Sequence, residues 1–366
     1  MKHVKKYYLK TTAGKLVAFF LGMLLFASCE EYYTPELDSS ESMLVVESMF
    51  TNDASKNFVK LTKTKDFYST NPDEMITNAN VELIESGSSA TPAKQQSNGY
   101  FTFSKVAVPD KTYTLRIYYG DQTYESDPVT MPPLPSIDSL YTVHRIDKTY
   151  STDAYGVPFT VENPVRDIKV DVSLSPQLKY FRFTWRTVLE WVYIPPMNPF
   201  KVAPPYYGWK SRYDNGNFNI AGQGDYTGTS NIKNHTVLSL AYDTQQYLDS
   251  AKQDFYGWIV MVDQYGITKD SYDFYEALDK QFTAEGNLFD PVLAQIPTNV
   301  SCKTDKTKKV VGFFNVNSYR QYRYFIRTGS AYSQTAVQKK INRYPDISDS
   351  GYLVGVYPSF WESYQN

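Results

Sequence analysis

From Leu44 to Arg327 the chain consists mostly of short runs that alternate apolar and polar residues or carry β-branched and aromatic side chains, broken by turn formers. A period of two places successive side chains on opposite faces of a pleated strand, and it cannot line one stripe of a helix. Leu44 to Phe50, Phe58 to Thr62, Ala79 to Glu85, Tyr100 to Val106, Thr112 to Tyr119 and Gln122 to Ser126 read as strands, with Asn98-Gly99 and Gly120-Asp121 as turns. That many strands in about 90 residues suits an immunoglobulin-like or transthyretin-like sandwich. The 33 tyrosines and 21 phenylalanines reinforce the reading, because aromatic rings fit half-buried pleated surfaces.

Met131-Pro132-Pro133-Leu134-Pro135 holds the chain extended and removes ladder donors, which places a boundary at 131–135 between a domain over 43–130 and a larger one over 136–366. The strand signal returns at Leu140 to Ile146, Ile168 to Leu174, Tyr180 to Tyr193, Thr236 to Tyr242 and Tyr256 to Tyr265, and a strand pair closes it at Lys308 to Asn315 and Tyr319 to Arg327. Tyr272, Tyr275, Leu278 and Phe282 recur at three- and four-residue steps and predict one helix, with Asp270 and Ser271 as candidate caps and Gly286 as its stop. The expected fold is all-β: an N-terminal immunoglobulin/transthyretin-like sandwich, then a larger β-sandwich with one short helix. The interval 194–231 holds five prolines and no sustained period, so it reads as a long loop. Its Tyr206, Tyr207 and Trp209 are candidates for contact with a ligand or partner; the bland alternative is a loop folded over its own sheet.

The chemistry of a common enzyme is missing. His3 lies in a segment read below as removed, which leaves His144 and His235 for any zinc site or Ser-His-acid set. There is no HExxH, GxSxG or P-loop, and the glycine-rich segment from Gly222 to Gly228 lacks the spacing of a dinucleotide fingerprint. Tyr213-Asp214-Asn215-Gly216-Asn217 lacks the acids of a calcium loop and reads as a turn. No catalytic residue, metal ligand or cofactor is assigned, although paired carboxylates of a glycosidase depend on the fold and stay open. Of the two cysteines, Cys302 reads as a buried apolar residue or loop thiol.

Residues 1–15 carry five lysines, Leu16 to Phe26 are apolar, and Ala27-Ser28-Cys29 follow. This is the three-part layout of a secretory signal over 1–28, and its apolar run is shorter than the roughly 20 residues of a bilayer-spanning helix. A retained transmembrane anchor is the weaker reading. The segment resembles the lipobox of bacterial lipoproteins, with Phe26 where many carry Leu. The resemblance implies a covalent diacylglyceryl lipid on Cys29 and stable attachment to outer-membrane lipid. Glu30 and Glu31 are similar to the surface-export signal of Bacteroidota lipoproteins, which implies an anchored protein facing the cell exterior; two solvated acids in a tether over 29–42 are the alternative. Without the five leader lysines the count is 32 basic against 39 acidic residues, a net charge of −7, so nucleic acid is not an expected partner.

Pro132 to Tyr141, Asn287-Leu288-Phe289-Asp290-Pro291 and Gly312-Phe313-Phe314 resemble segments of a Bacteroidota outer-membrane lipoprotein family classed as a domain of unknown function, over most of Leu44 to Arg327. The resemblance implies a gene neighbourhood of SusC-like TonB-dependent transporters and SusD-like lipoproteins. It therefore implies an accessory, non-enzymatic surface subunit of a nutrient importer whose cargo is peptide or oligosaccharide. A subunit that only braces the transporter, a free-standing surface ligand-binding protein and a hydrolase of unrecognised type are the rivals.

Overall fold

The alternating runs become strands that stack in layers. The computed structural model describes residues 42–65, 69–193, 206–216, 218–226, 231–241, 253–283 and 296–327. The first half holds β1 (Leu44–Thr51), β2 (Phe58–Lys63), β3 (Asn80–Glu85), β4 (Thr91–Pro92), β5 (Lys94–Ser97), β6 (Tyr100–Thr102), β7 (Thr112–Tyr119), β8 (Gln122–Ser126) and β9 (Val129–Thr130). Then follow β10 (Ser139–Thr152), β11 (Pro158–Ser173), β12 (Tyr180–Tyr193), β13 (Tyr206–Tyr213), β14 (Asn219–Gly222), β15 (Asn231–Ala241), β16 (Gln253–Ile267), helix α1 (Lys269–Thr283), β17 (Val300–Cys302) and β18 (Val310–Arg327). The protein is all-β with a single α-helix among the described residues.

Three sheets make two sandwiches. The largest has the order β13-β12-β16-β18-β1-β2-β6-β5 with β14 also on β12; the second is β17-β8-β7-β3-β4 with β9 on β7; the third is β10-β11-β15. Val46, Phe50, Leu61 and Phe101 of the large sheet meet Leu83, Tyr113, Leu115 and Ile117 of the second sheet in the first core. Phe50 and Tyr113 cross edge to face at 5.0 Å, and the Tyr113 hydroxyl accepts from the Val108 amide at 2.9 Å, so the buried ring has its polar tip satisfied. In the second sandwich Ile168, Val170 and Leu238 of the three-stranded sheet pack on Phe181, Phe183 and Val260 of the large one. Helix α1 covers the other face, where Phe274 stacks on Phe313 at 4.8 Å beside Tyr265 and Tyr319.

Helix α1 follows its three-and-four pattern but starts earlier than expected. Its cap is Thr268, whose Oγ1 accepts from the Ser271 amide at 3.2 Å, and not Asp270 or Ser271. Gly286 lies outside the described residues. The closing strand pair is instead one 18-residue strand, β18. Its first half pairs with β1 in parallel and its second half with β16 in antiparallel, so a new neighbour takes over where the first stops and the strand needs no turn. Asn317 and Ser318, in the interval between the two expected strands, are fully buried at the changeover. β18 thus runs through both cores. Val300, Cys302, Val310, Phe314 and Val316 belong to the first core although they lie far beyond the proline segment.

The joint between β1 and β18 is close. Gly312 sits at φ +103°, where only glycine is comfortable, and a Cβ there would collide with the backbone of Val46. Asn299 fastens the same strand: its Nδ2 donates to the Phe314 carbonyl at 3.0 Å and its Oδ1 accepts from the Phe314 amide at 2.8 Å. Asn315 Nδ2 donates across to the Ser48 carbonyl at 3.2 Å.

Candidate interaction surface

Hairpin β10–β11 is longer than the sheet that carries it. The two strands stay in register from Ser139↔Asp171 to Thr152↔Pro158, whereas among the described residues β15 supports β11 as far as Val165↔Ala241. The rows from Ile146↔Pro164 to the tip therefore form an arm about 20 Å long at roughly 3.3 Å per residue. Thr149, Thr152, Thr160 and Val161 favour the extended backbone there. Lys148 Nζ meets Glu162 directly opposite at 2.9 Å, and Asn163 Nδ2 donates to Thr149 Oγ1 at 3.1 Å. At the base Arg145 pairs with Asp147 and, through Nε at 2.9 Å, with Asp167. Burial alone would raise the Asp167 carboxyl, but hydrogen bonds from Ser239 and Arg145 hold its pKa below the usual value.

The tip is a built turn. Asp153 Oδ1 accepts from the amides of Tyr155 and Val157, both at 2.9 Å, the Asp153 amide donates to the Val157 carbonyl at 3.0 Å, and Gly156 takes φ +80°. The side chains this turn displays are apolar and open. Tyr155 is 92% and Tyr150 84% exposed, and Ile146, Val157 and Phe159 are exposed as well. By the pleat, Ile146 and Tyr150 continue the face of Leu140, while Phe159 lies on the other. Between Thr149 and Val161 the only charged residue is Asp153, and one oxygen of its carboxylate is taken up by backbone. Singly exposed apolar residues are ordinary; a cluster at the end of a stiff projection is what a contact surface looks like.

The aromatic residues expected to make contact are elsewhere. The interval 194–231 is not one long loop, since β13 and β14 lie within it and both pair with β12. Prolines and Gly208 masked a two-residue period. Tyr206, Tyr207 and Trp209 stand opposite Tyr193, Val192 and Glu190 in the ladder, and their side chains lie outside the described residues. β13 ends the path of the large sheet. Near its far end the Arg186 guanidinium lies over Tyr213 at 5.0 Å and donates to Ser211 Oγ at 2.8 Å. Cys29, Glu30 and Glu31 also lie outside the described residues.

The two histidines are far apart in role. His144 is exposed on β10, opposite Arg166. His235 is half-buried against Phe183 of the second sandwich. Asn219 donates through Nδ2 to the carbonyls of Thr236 and Val237, which turns its Oδ1 toward His235 Nε2 at 2.6 Å. Nε2 must then carry the proton, and Nδ1 accepts from the Tyr226 hydroxyl at 2.7 Å. Burial pushes the imidazole down to about 4, so the ring is neutral and structural. Asp225, in the glycine-rich segment, accepts from the Gly222 amide at 2.6 Å and the Tyr272 hydroxyl at 2.7 Å and ties the loop to α1. Asp214 accepts from the Gly216 amide at 3.2 Å as a turn residue. Cys302 is buried. Among the described residues no group of three His, Cys, Asp or Glu side chains could hold a metal ion, and no helix is long and apolar enough to cross a membrane.

The family model DUF4249, described as a domain of unknown function, matches residues 30–323, a stretch that contains the whole arm. No curated protein matches the chain.

Proposed function

The chain belongs to the DUF4249 family, and from that premise we propose that it is a lipid-anchored accessory subunit of a SusC/SusD-type TonB-dependent nutrient importer on the outer-membrane surface, without catalytic activity of its own. Cys29 carries the diacylglyceryl lipid in this reading, and Glu30 and Glu31 direct the protein to the exterior of a Bacteroidota-type cell. The arm carries the proposal. A stiff hairpin whose charges are paired at its base and whose tip displays Tyr150, Tyr155, Val157 and Phe159 suits insertion against an uncharged, apolar surface of a partner protein. A convex projection offers no hollow for a small molecule, which also favours the second reading, a brace that holds the transporter without touching its peptide or oligosaccharide cargo.

The test is purification from gently solubilised outer membranes through a C-terminal tag, with mass spectrometry of what accompanies the protein. A SusC-like transporter and SusD-like lipoprotein should co-purify with the natural chain and be lost from a Tyr150→Ser/Tyr155→Ser/Phe159→Ser variant of unchanged melting temperature. Recovery of the natural chain alone would refute the subunit reading.

A further inference from the structure

Where the edge of the second sheet at β3–β4 faces β5–β6, the first sandwich leaves a cleft of 340 Å3. Pockets that hold small ligands begin at roughly 300 Å3. Asn80 and Tyr118 are direct partners across β3 and β7, and Glu82 follows two residues along, so amide, carboxylate and phenol ring occupy one face of the pleat. Gln95 enters from the other sheet, opposite Phe101, which lines the cleft beside Pro92.

The polar groups here are open to solvent and unpaired among the described residues. Among the described residues the side chains of Asn80, Glu82 and Gln95 make no hydrogen bond or ion pair. Neighbouring glutamates are all engaged: Glu47 with Lys60, Glu85 with Lys105 and Lys111, and Glu125 with Arg116 at 2.8 Å. Arg116 stands opposite Glu82 in the ladder, so its engagement with Glu125 leaves Glu82 without a cation. No basic residue lines the cleft, which gives an anionic ligand nothing to bind. One carboxylate and two amides can instead accept from and donate to adjacent hydroxyls, and an exposed tyrosine ring offers a flat apolar face beside them.

We infer that this cleft binds a neutral saccharide, with Glu82, Asn80 and Gln95 holding ring hydroxyls and Tyr118 packing against the C–H face of a pyranose. As a statement about an importer's cargo this rests on the proposed function; as a statement about binding it does not, and the isolated lipoprotein tests it alone. Saturation-transfer NMR and calorimetric titration of the full chain in detergent with maltotriose, cellotriose and xylotriose should find at least one that binds with millimolar affinity. Glu82→Gln should weaken that binding about tenfold, since a hydrogen bond to an ionised carboxylate is stronger than one to a neutral amide. Tyr118→Ala should abolish it, and both variants should melt at the natural temperature. Absence of binding by all three sugars, binding that survives both substitutions, or capture of a Lys-Lys dipeptide in place of any sugar would overturn the inference.

Discussion

The joint between β1 and β18 and the tip of the β10–β11 arm use similar residues in opposite ways. At the joint, polar side chains are buried: Ser48, Thr51, Asn299, Asn315 and Asn317 are closed off from solvent, and Asn299 fastens backbone that its own strand cannot reach. At the tip apolar side chains are exposed, with Tyr150 and Tyr155 standing open on a turn whose hydrogen bonds are all local. Asn299 satisfies buried backbone there, while the Asn317 side-chain amide and the Asn315 Oδ1 are buried without a hydrogen-bond partner among the described residues, so the joint tolerates little change where the two sandwiches share one sheet. Nothing among the described residues packs on the arm's exposed rings, and in the proposed function they meet the partner.

Substitutions should separate the two regions by the size of their effects. The largest falls at Gly312, where Gly312→Ala places a Cβ against the Val46 backbone at a φ that disfavours it. A loss of more than about 4 kcal/mol, or failure to fold, is expected in urea titration. Acid sensitivity comes next. With the imidazole of His235 lowered to about 4 in the folded state, the unfolded chain binds the proton more readily, and stability is complete above about pH 6.5 and declines as pH falls toward 4. The decline traceable to this group is about 3 kcal/mol, and a His235→Gln variant should show a flatter pH profile over that window. Asn299→Ala should cost about 2 kcal/mol in the same titration, because it strands the Phe314 amide and carbonyl in a buried place. Tyr155→Ser should move stability by less than about 0.5 kcal/mol while removing the partner. Lys148→Ala should cost only a few tenths of a kcal/mol, and less still in high salt, because both charges of its ion pair are mostly in water.

The same contrast explains what the sequence disclosed. Strands with one buried face announced themselves: the alternation of Tyr113, Leu115 and Ile117 in β7, or Phe181 and Phe183 in β12, is the imprint of a core. The arm has no core to imprint it, so Lys148 to Val161 shows no amphipathic period, and β10 and β11 read as short strands when they are 14 and 16 residues long. The Asp153-Ala154-Tyr155-Gly156 turn between β-branched runs was the available signal. β13 was hidden for another reason, its period interrupted by Gly208 and preceded by prolines. The unbroken course of β18 through Asn317-Ser318 depends on a change of neighbour, from β1 to β16, and local residues carry no trace of a partner distant in sequence. The saccharide cleft is likewise assembled from β3, β7 and β5, and only the fold brings Glu82, Tyr118 and Gln95 to one opening.

The most direct test of the arm as the contact surface is photo-crosslinking in intact cells with a benzophenone side chain placed at Tyr155 and, as control, at Phe282, which is 77% exposed on α1. The account predicts a covalent adduct to a TonB-dependent transporter from position 155 and none from position 282. An adduct from 282 with none from 155 would contradict it, as would transporter crosslinks from both positions alike.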